Sequence, residues 1–256
     1  MSSINSYDII QYVEANIPQF HASRIKGLAG LKLRSILRRK NPYLFKAKNL
    51  ITASSLVEEL LKAHLSSSEE GLFGGFLEGL AIFICAQTFG GRKSFAEGID
   101  LEFERDQVRY IVSIKSGPNW GNSSQIKKMI ENFSKAKKVV RTNAALANVV
   151  AVNGCCYGKD DQPDKGTYLK LCGQRFWEFI SGNEFLYTDI VEPLGFKARE
   201  NNDQFQTEYG KVVNRFTLEF MQNFCDTDGE IIWERIVQLN SGKNDASASL
   251  QPTDIN

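Results

Sequence analysis

Between Gly98 and Lys115 the chain takes on a two-residue hydrophobic period. Ile99, Leu101 and Phe103 alternate with Asp100, Glu102 and Glu104; Val108, Tyr110, Val112 and Ile114 then alternate with Arg109, Ile111, Ser113 and Lys115. Successive side chains on a strand point to opposite faces, so the pattern predicts two strands joined as a hairpin, whose register follows if Asp106 and Gln107 form the two-residue turn. That register has a chemical consequence. It sets Asp100 across from Ser113, with Lys115 two residues further along the same face, so that an acid and an ammonium group meet at one end of the hairpin.

Helical spacing surrounds the hairpin. Leu56, Val57, Leu60 and Leu61 predict a helix over 54–64, capped by Ser54 or Ser55, and the run Ser66 to Glu70 reads as the start of a second helix carrying Phe73, Phe76, Leu77, Leu80, Ile82 and Phe83. Ile126, Met129, Ile130, Phe133 and Ala136 predict a helix over 124–141, followed by an apolar strand over 148–153. Segments 173–180 and 213–224, rich in aromatic residues, read as core-packing helices. A hairpin, then a helix, then a strand indicates α/β architecture: a mixed sheet flanked by helices. No internal repeat is present.

Charge is unevenly distributed although the net charge is only +1. No acid occurs between Glu14 and Glu58, while Arg24, Lys26, Lys32, Arg34, Arg38, Arg39, Lys40, Lys46 and Lys48 fall there, threaded with Ile25, Leu28, Leu31, Leu33, Ile36 and Leu37 up to the stop at Asn41-Pro42. A basic amphipathic helix is expected, whose cations contact phosphate, lie on a membrane surface or simply face water. The expected organisation is a basic helical arm over 1–53, a core over 54–239 and a disordered tail over 240–256, where Ser, Asn, Asp, Gly and Ala replace large apolar residues.

A chain of 256 residues, 42% hydrophobic, can bury a substantial core without cross-links. Its five cysteines, Cys85, Cys155, Cys156, Cys172 and Cys225, are odd in number, lack a CxxC pair and suit reduced thiols in a cytoplasmic protein; a zinc site built from the last four is the lesser reading. No leader pattern and no long uninterrupted apolar run is evident. His21 and His64 are the only histidines, which argues against a histidine-metal site or a Ser-His-Asp hydrolase.

Phosphodiester hydrolysis needs a cation to neutralise developing charge, an anion to hold that cation, and a positive donor to orient the attacking water. Asp100 and Lys115 fit the last two needs. Ser113, two residues before the lysine, can hydrogen-bond but brings no charge, so another carboxylate is required to hold a metal tightly. Glu78 is the leading candidate, as the one charged residue between Glu70 and Arg92; Glu102, Glu69 and Glu70 compete with it.

The motifs Ser66-Ser67-Ser68-Glu69-Glu70, Gly98-Ile99-Asp100-Leu101-Glu102-Phe103, Ser113-Ile114-Lys115-Ser116-Gly117-Pro118-Asn119-Trp120-Gly121-Asn122-Ser123-Ser124-Gln125 and Asn153-Gly154-Cys155-Cys156-Tyr157-Gly158 resemble the PmeII family of type II restriction endonucleases, of the PD-(D/E)xK superfamily, over residues 41–233. The resemblance implies a restriction-endonuclease-like core and a magnesium-dependent enzyme. Such an enzyme cuts both strands of a short DNA site, leaves 5′-phosphate and 3′-hydroxyl ends, and works beside a methyltransferase acting on the same site. The expected metal ligands are Asp100, Glu78 and the carbonyl of Ile114, with Lys115 and Ser113 completing the catalytic group.

The loop after Lys115 is expected at the DNA surface. Asn119, Asn122 and Gln125 offer paired donors and acceptors for base edges or phosphates, and Trp120 offers a stacking face; a hydrogen-bonded structural loop is the alternative for each. Lys127, Lys128, Lys135, Lys137, Lys138 and Arg141 form a cationic stripe on the next helix, and Arg38 and Arg39 are the arm's candidates for phosphate contact. The turn 153–158, followed by Asp164, Lys165 and Tyr168, reads as a recognition loop or a packed turn. A homodimer is expected, because two sites related by a two-fold axis suit a palindrome. The rival readings are a catalytically silent DNA-binding module and a structure-specific repair nuclease.

Overall fold

The computed structural model describes residues 5–143 and 148–243. Its elements are α1 (Ser6–Ala29), α2 (Leu33–Leu37), α3 (Pro42–Ala47), α4 (Ala53–Phe89), β1 (Arg92–Lys93), β2 (Leu101–Arg105), β3 (Val108–Lys115), α5 (Ser123–Asn143), β4 (Val149–Cys155), β5 (Leu169–Cys172), α6 (Gln174–Ser181), α7 (Leu186–Asp189), α8 (Val191–Leu194), α9 (Ala198–Phe224) and α10 (Trp233–Ser241). They form two compact units, each discontinuous in sequence: Met1–Phe20 with Glu70–Ala198, and His21–Glu69 with Arg199–Asn256.

The first unit is built on a five-stranded mixed sheet in the order β1-β2-β3-β4-β5, antiparallel across β1, β2 and β3 and parallel across β3, β4 and β5. The hairpin has the expected register, Leu101 facing Val112. Asp106 and Gln107 both adopt positive φ, 53° and 62°, the conformation whose twist matches that of the two strands they join. Alternation along the strands divides the core in two. Leu101, Phe103, Val112, Ile114 and Val152 pack with α1, α4 and α6, whereas Ile111, Val149 and Ala151 pack with Met129, Phe133 and Ala136 of α5. The helix α5 makes the crossover between the parallel strands β3 and β4.

The second unit is built of helices among the described residues, with one isolated bridge between Cys225 and Ile231. Leu28, Leu33, Ile36, Leu37, Phe45, Leu56, Val57, Leu60 and Leu61 bury themselves against Phe205, Val212, Phe216, Phe220 and Phe224 of α9 and Ile236 and Leu239 of α10. The expected arm over 1–53 is therefore not an appendage: its apolar stripe needed a cover, and α9 and α10 supply it. The single basic helix expected there is broken at Gly30 and again before Pro42, where the Asn41 side chain caps α3 by accepting from the N–H groups of Tyr43 and Leu44.

Two expected helices are one. The run Ser66 to Glu70 lies inside α4, where Ser67 Oγ donates to the Ala63 carbonyl and Glu69 accepts from Arg24 at 2.7 Å, so the serines are satisfied without ending the helix. The cap is Thr52, whose hydroxyl accepts from Ser55 N–H at 3.2 Å. At 37 residues, α4 is long and apolar enough to cross a membrane by length and composition; here its buried residues line the two cores. Asn240 and Ser241, expected in the tail, close α10, and Asn240 Nδ2 donates to the carbonyls of Leu37 and Lys40. The rest of that expected tail, 244–256, lies outside the described residues.

Candidate active site

Asp100 immediately precedes β2, and the turn that delivers it depends on Gly98 at φ 73°, where a β-carbon would strike the buried Asn132 side chain 2.1 Å away. The Asp100 N–H then donates to the Val112 carbonyl at 2.8 Å, which continues the hairpin by one residue. Its carboxylate turns to β3: Oδ2 accepts from Ile114 N–H at 2.6 Å and from Ser113 Oγ at 3.4 Å, and lies 3.9 Å from Lys115 Nζ. The hairpin thus brings together Asp100, Ser113 and Lys115. Ile114 meets the aspartate through its N–H, and it is the carbonyl of the same residue that was expected to serve as a ligand.

Glu78 comes to this cluster from α4. It is half-buried, with Lys93 Nζ 3.9 Å away, and its carboxyl is pushed above the usual range by burial and then by the charge of Asp100, against the opposing pull of Lys93 and Lys115. The same electrostatic reach extends to Cys156, whose thiol is pushed up to about 12 by burial and by the Glu78 carboxylate, and whose N–H donates to the Lys115 carbonyl at 2.9 Å. Two of the three competitors are otherwise engaged. Glu102 accepts from Arg92 at 2.7 Å, Glu69 pairs with Arg24, and Glu70 is exposed.

A half-buried carboxyl raised by burial and by a second carboxylate is the kind of group that a divalent cation would compensate. No group of three or more His, Cys, Asp or Glu suited to a metal occurs among the described residues. An ion held here by Asp100 and Glu78 would complete its shell from backbone, water and substrate oxygens. That is the habit of magnesium, which binds through one or two carboxylates and keeps several waters.

The family model for type II restriction endonuclease EcoO109I matches residues 7–202, a span that contains the whole sheet, Glu78, Asp100 and Lys115. The chain belongs to this family. No curated protein matches it. The finding supports the expected class, type II restriction endonuclease, and names EcoO109I where the motifs had suggested PmeII. The mixed sheet flanked by helices is accordingly a restriction-endonuclease-like α/β fold, and enzymes of this class generally use a divalent metal.

In this member of the EcoO109I family the loop after Lys115 is clamped at several points. A β-carbon on Gly117 would strike the Tyr157 ring 2.3 Å away, and the Pro118 carbonyl accepts from Lys170 Nζ at 3.0 Å. Asn122 and Gln125 form a reciprocal cap on α5: Asn122 Oδ1 accepts from Gln125 N–H at 3.1 Å, and Gln125 Oε1 accepts from Asn122 N–H at 2.9 Å. Their side-chain oxygens serve the helix, while both residues remain exposed. Asn119 is exposed in the same loop. Lys127 and Lys128 are exposed on α5, with Lys128 Nζ 3.3 Å from Glu97. Lys137 donates to the Thr167 carbonyl, Lys135 and Lys138 are exposed, and the Arg141 side chain lies outside the described residues. The stretch after β4 is held by local contacts while most of its residues stay exposed: Lys165 pairs with Asp160, Asp164 accepts from Gly166 N–H, and Tyr168 packs on Phe133.

Trp120 is half-buried. Its indole N–H donates to Asn153 Oδ1 at 3.1 Å, and its ring lies 5.3 Å from Lys115 Nζ. Asn153 is buried in β4 beside Ser113, to whose carbonyl it donates at 3.2 Å. The sequence pattern puts Asn153 at the end of the strand expected over 148–153 and assigns it no bracing role. The available signal was an amide inside an otherwise apolar strand, a group that must find partners when buried. Its partners are the two segments on either side of Lys115.

Arg38 and Arg39 are exposed in the helical unit, just after α2. Around them several cations of the acid-free segment are engaged. Arg24 lies over the Phe205 ring, Arg34 reaches Asn223, Lys40 donates to the Ala63 carbonyl, and Lys48 pairs with Glu59. All five cysteines are buried free thiols.

Proposed function

We propose that this chain is a magnesium-dependent, site-specific deoxyribonuclease that cuts both strands of duplex DNA and leaves 5′-phosphate and 3′-hydroxyl ends. The observation that carries the reading is the convergence of Asp100, Ser113 and Lys115 at one end of the hairpin, with Glu78 in the same electrostatic field. Asp100 and Glu78 would hold the cation, with the Ile114 carbonyl as a further ligand. The cation supplies charge neutralisation at the phosphate and a more acidic water.

In this scheme Lys115 orients the attacking water. Trp120, held by Asn153, restricts where the ammonium group can go, and Ser113 and the Ile114 N–H fix the rotamer of Asp100. Water oxygen bonds to phosphorus as the bond to the 3′ oxygen breaks, and that oxygen leaves with a proton. Asn119, Lys127 and Lys128 are proposed to contact DNA near the cut, with the exposed amides of Asn122 and Gln125, and Arg38 and Arg39 to contact phosphate. The enzyme would act as a homodimer in the cytoplasm, beside a methyltransferase that protects the same site. A kinship with PmeII enzymes within the class rests on the motifs alone.

The test is digestion of unmodified phage DNA with and without magnesium, followed by sequencing of the ends. Discrete magnesium-dependent fragments sharing one end sequence are expected. The second reading, a silent DNA-binding module, is favoured by the uncharged Ser113 at an acid's usual place; DNA bound but intact under every divalent metal would establish it.

A further inference from the structure

Phe95 is fully exposed, at 101% of its reference area, on a loop that holds its shape. The loop spans Ser94 to Gly98, between β1 and Asp100. Ser94 N–H donates to the Asp100 carbonyl at 3.3 Å, Ala96 N–H to Ser94 Oγ at 3.1 Å, and Ile99 N–H to the Ala96 carbonyl at 3.1 Å. Ile99 is buried in the α5 side of the core, and Ala96 packs against the same cluster. The residues on either side of Phe95 are thus tied down while its ring is left in water. A chain gains about 1.5–3 kcal/mol by burying such a ring, so a rigid loop that withholds it is shaped for something other than its own fold.

The surroundings identify the occupant. Phe95 stands five positions before Asp100, a reach of at most about 18 Å, or about five base-pair steps along a duplex whose scissile phosphate lies at Asp100. Lys93, exposed, stands two residues before the ring; Glu97, two residues after it, is tethered to Lys128 of the α5 cationic face at 3.3 Å. An exposed aromatic ring on a loop that carries Lys93 and reaches Lys128 through Glu97, next to the proposed phosphate-cleaving centre, suits a wedge at a base step with cations near the flanking phosphates.

We infer that Phe95 is a wedge that enters the bound duplex beside the cut site and unstacks a base step. The inference rests on the nuclease reading above and adds to it a residue that deforms DNA. The experiment places 2-aminopurine, one position at a time, across the site mapped by digestion, and follows fluorescence on binding with calcium replacing magnesium. With the unaltered protein, a several-fold rise at one or two adjacent positions is expected. Phe95→Ala should abolish the rise and lower kcat/KM on the order of tenfold, the worth of one stacked base, while Phe95→Trp should restore both. Protein that binds and cuts while no position brightens, or a Phe95→Ala variant that brightens the same positions equally, overturns the wedge and leaves the nuclease standing. A Phe95→Ala variant that dissociates a dimer while its DNA signal persists assigns the ring to a second copy of the chain. Failure of the unaltered protein to bind or cut duplex DNA overturns both.

Discussion

Asp100 and Lys115 come within 3.9 Å only because the hairpin register brings them together, and each keeps part of its side chain in solvent, so replacing either is expected to disturb chemistry before it disturbs folding. Asp100→Ala and Lys115→Ala are each expected to lower single-turnover cleavage on the order of a thousandfold, with unchanged circular dichroism. Full activity in either variant would remove that residue from the site. Glu78 has a testable sign. Its carboxyl is raised by burial and by Asp100, so its contribution to stability is complete below the ordinary carboxylate range and is lost as pH climbs through the raised value. At neutral pH, without metal, the ionised group opposes folding. Glu78→Gln is therefore expected to raise the melting temperature of metal-free protein at pH 7, to lose that advantage by about pH 4, and to abolish cleavage. A lower melting temperature at pH 7 would contradict the unbalanced carboxylate pair.

At the scale of elements, the hairpin turn carries a cost that can be removed. Gln107 sits at φ 62° with a full side chain, in a region that disfavours β-carbons. Gln107→Gly should stabilise the protein by about 0.5–1 kcal/mol in chemical denaturation, the relief of the left-handed residue less the added chain entropy of glycine. The hairpin was legible in sequence because period-two alternation ends at Glu104 and resumes at Val108, leaving only Arg105, Asp106 and Gln107 between, and a two-residue turn at Asp106 and Gln107 gives the register found. The continuity of α4 was not legible. Ser66, Ser67 and Ser68 resemble a helix start, and only Arg24, distant in sequence, supplies the partner that keeps Glu69 occupied inside one long helix.

For the whole molecule, the decisive feature is that both units are assembled from segments far apart in the chain. Phe216 in α9 is 1% exposed in a core that also contains Leu28, Leu33 and Leu56. Phe216→Ala should cost about 3–5 kcal/mol, read as a lower denaturation midpoint. Loss confined to less than 1 kcal/mol would mean that the helical unit does not depend on α9 in the way its packing indicates.

The sequence by itself determined the hairpin, its turn, the pairing of Asp100 with Lys115 and the crossover helix α5, because strand alternation and helical spacing are local and a two-residue turn admits one register. It also singled out Glu78, by its isolation among apolar residues. Only the tertiary structure decided which carboxylate shares the field of Asp100, that Asn153 braces Trp120 beside Lys115, and that the basic N-terminal segment is half of a helical core. Those outcomes depend on partners many residues away. Periodicity shows which face of an element must be covered and carries no information about which distant segment covers it.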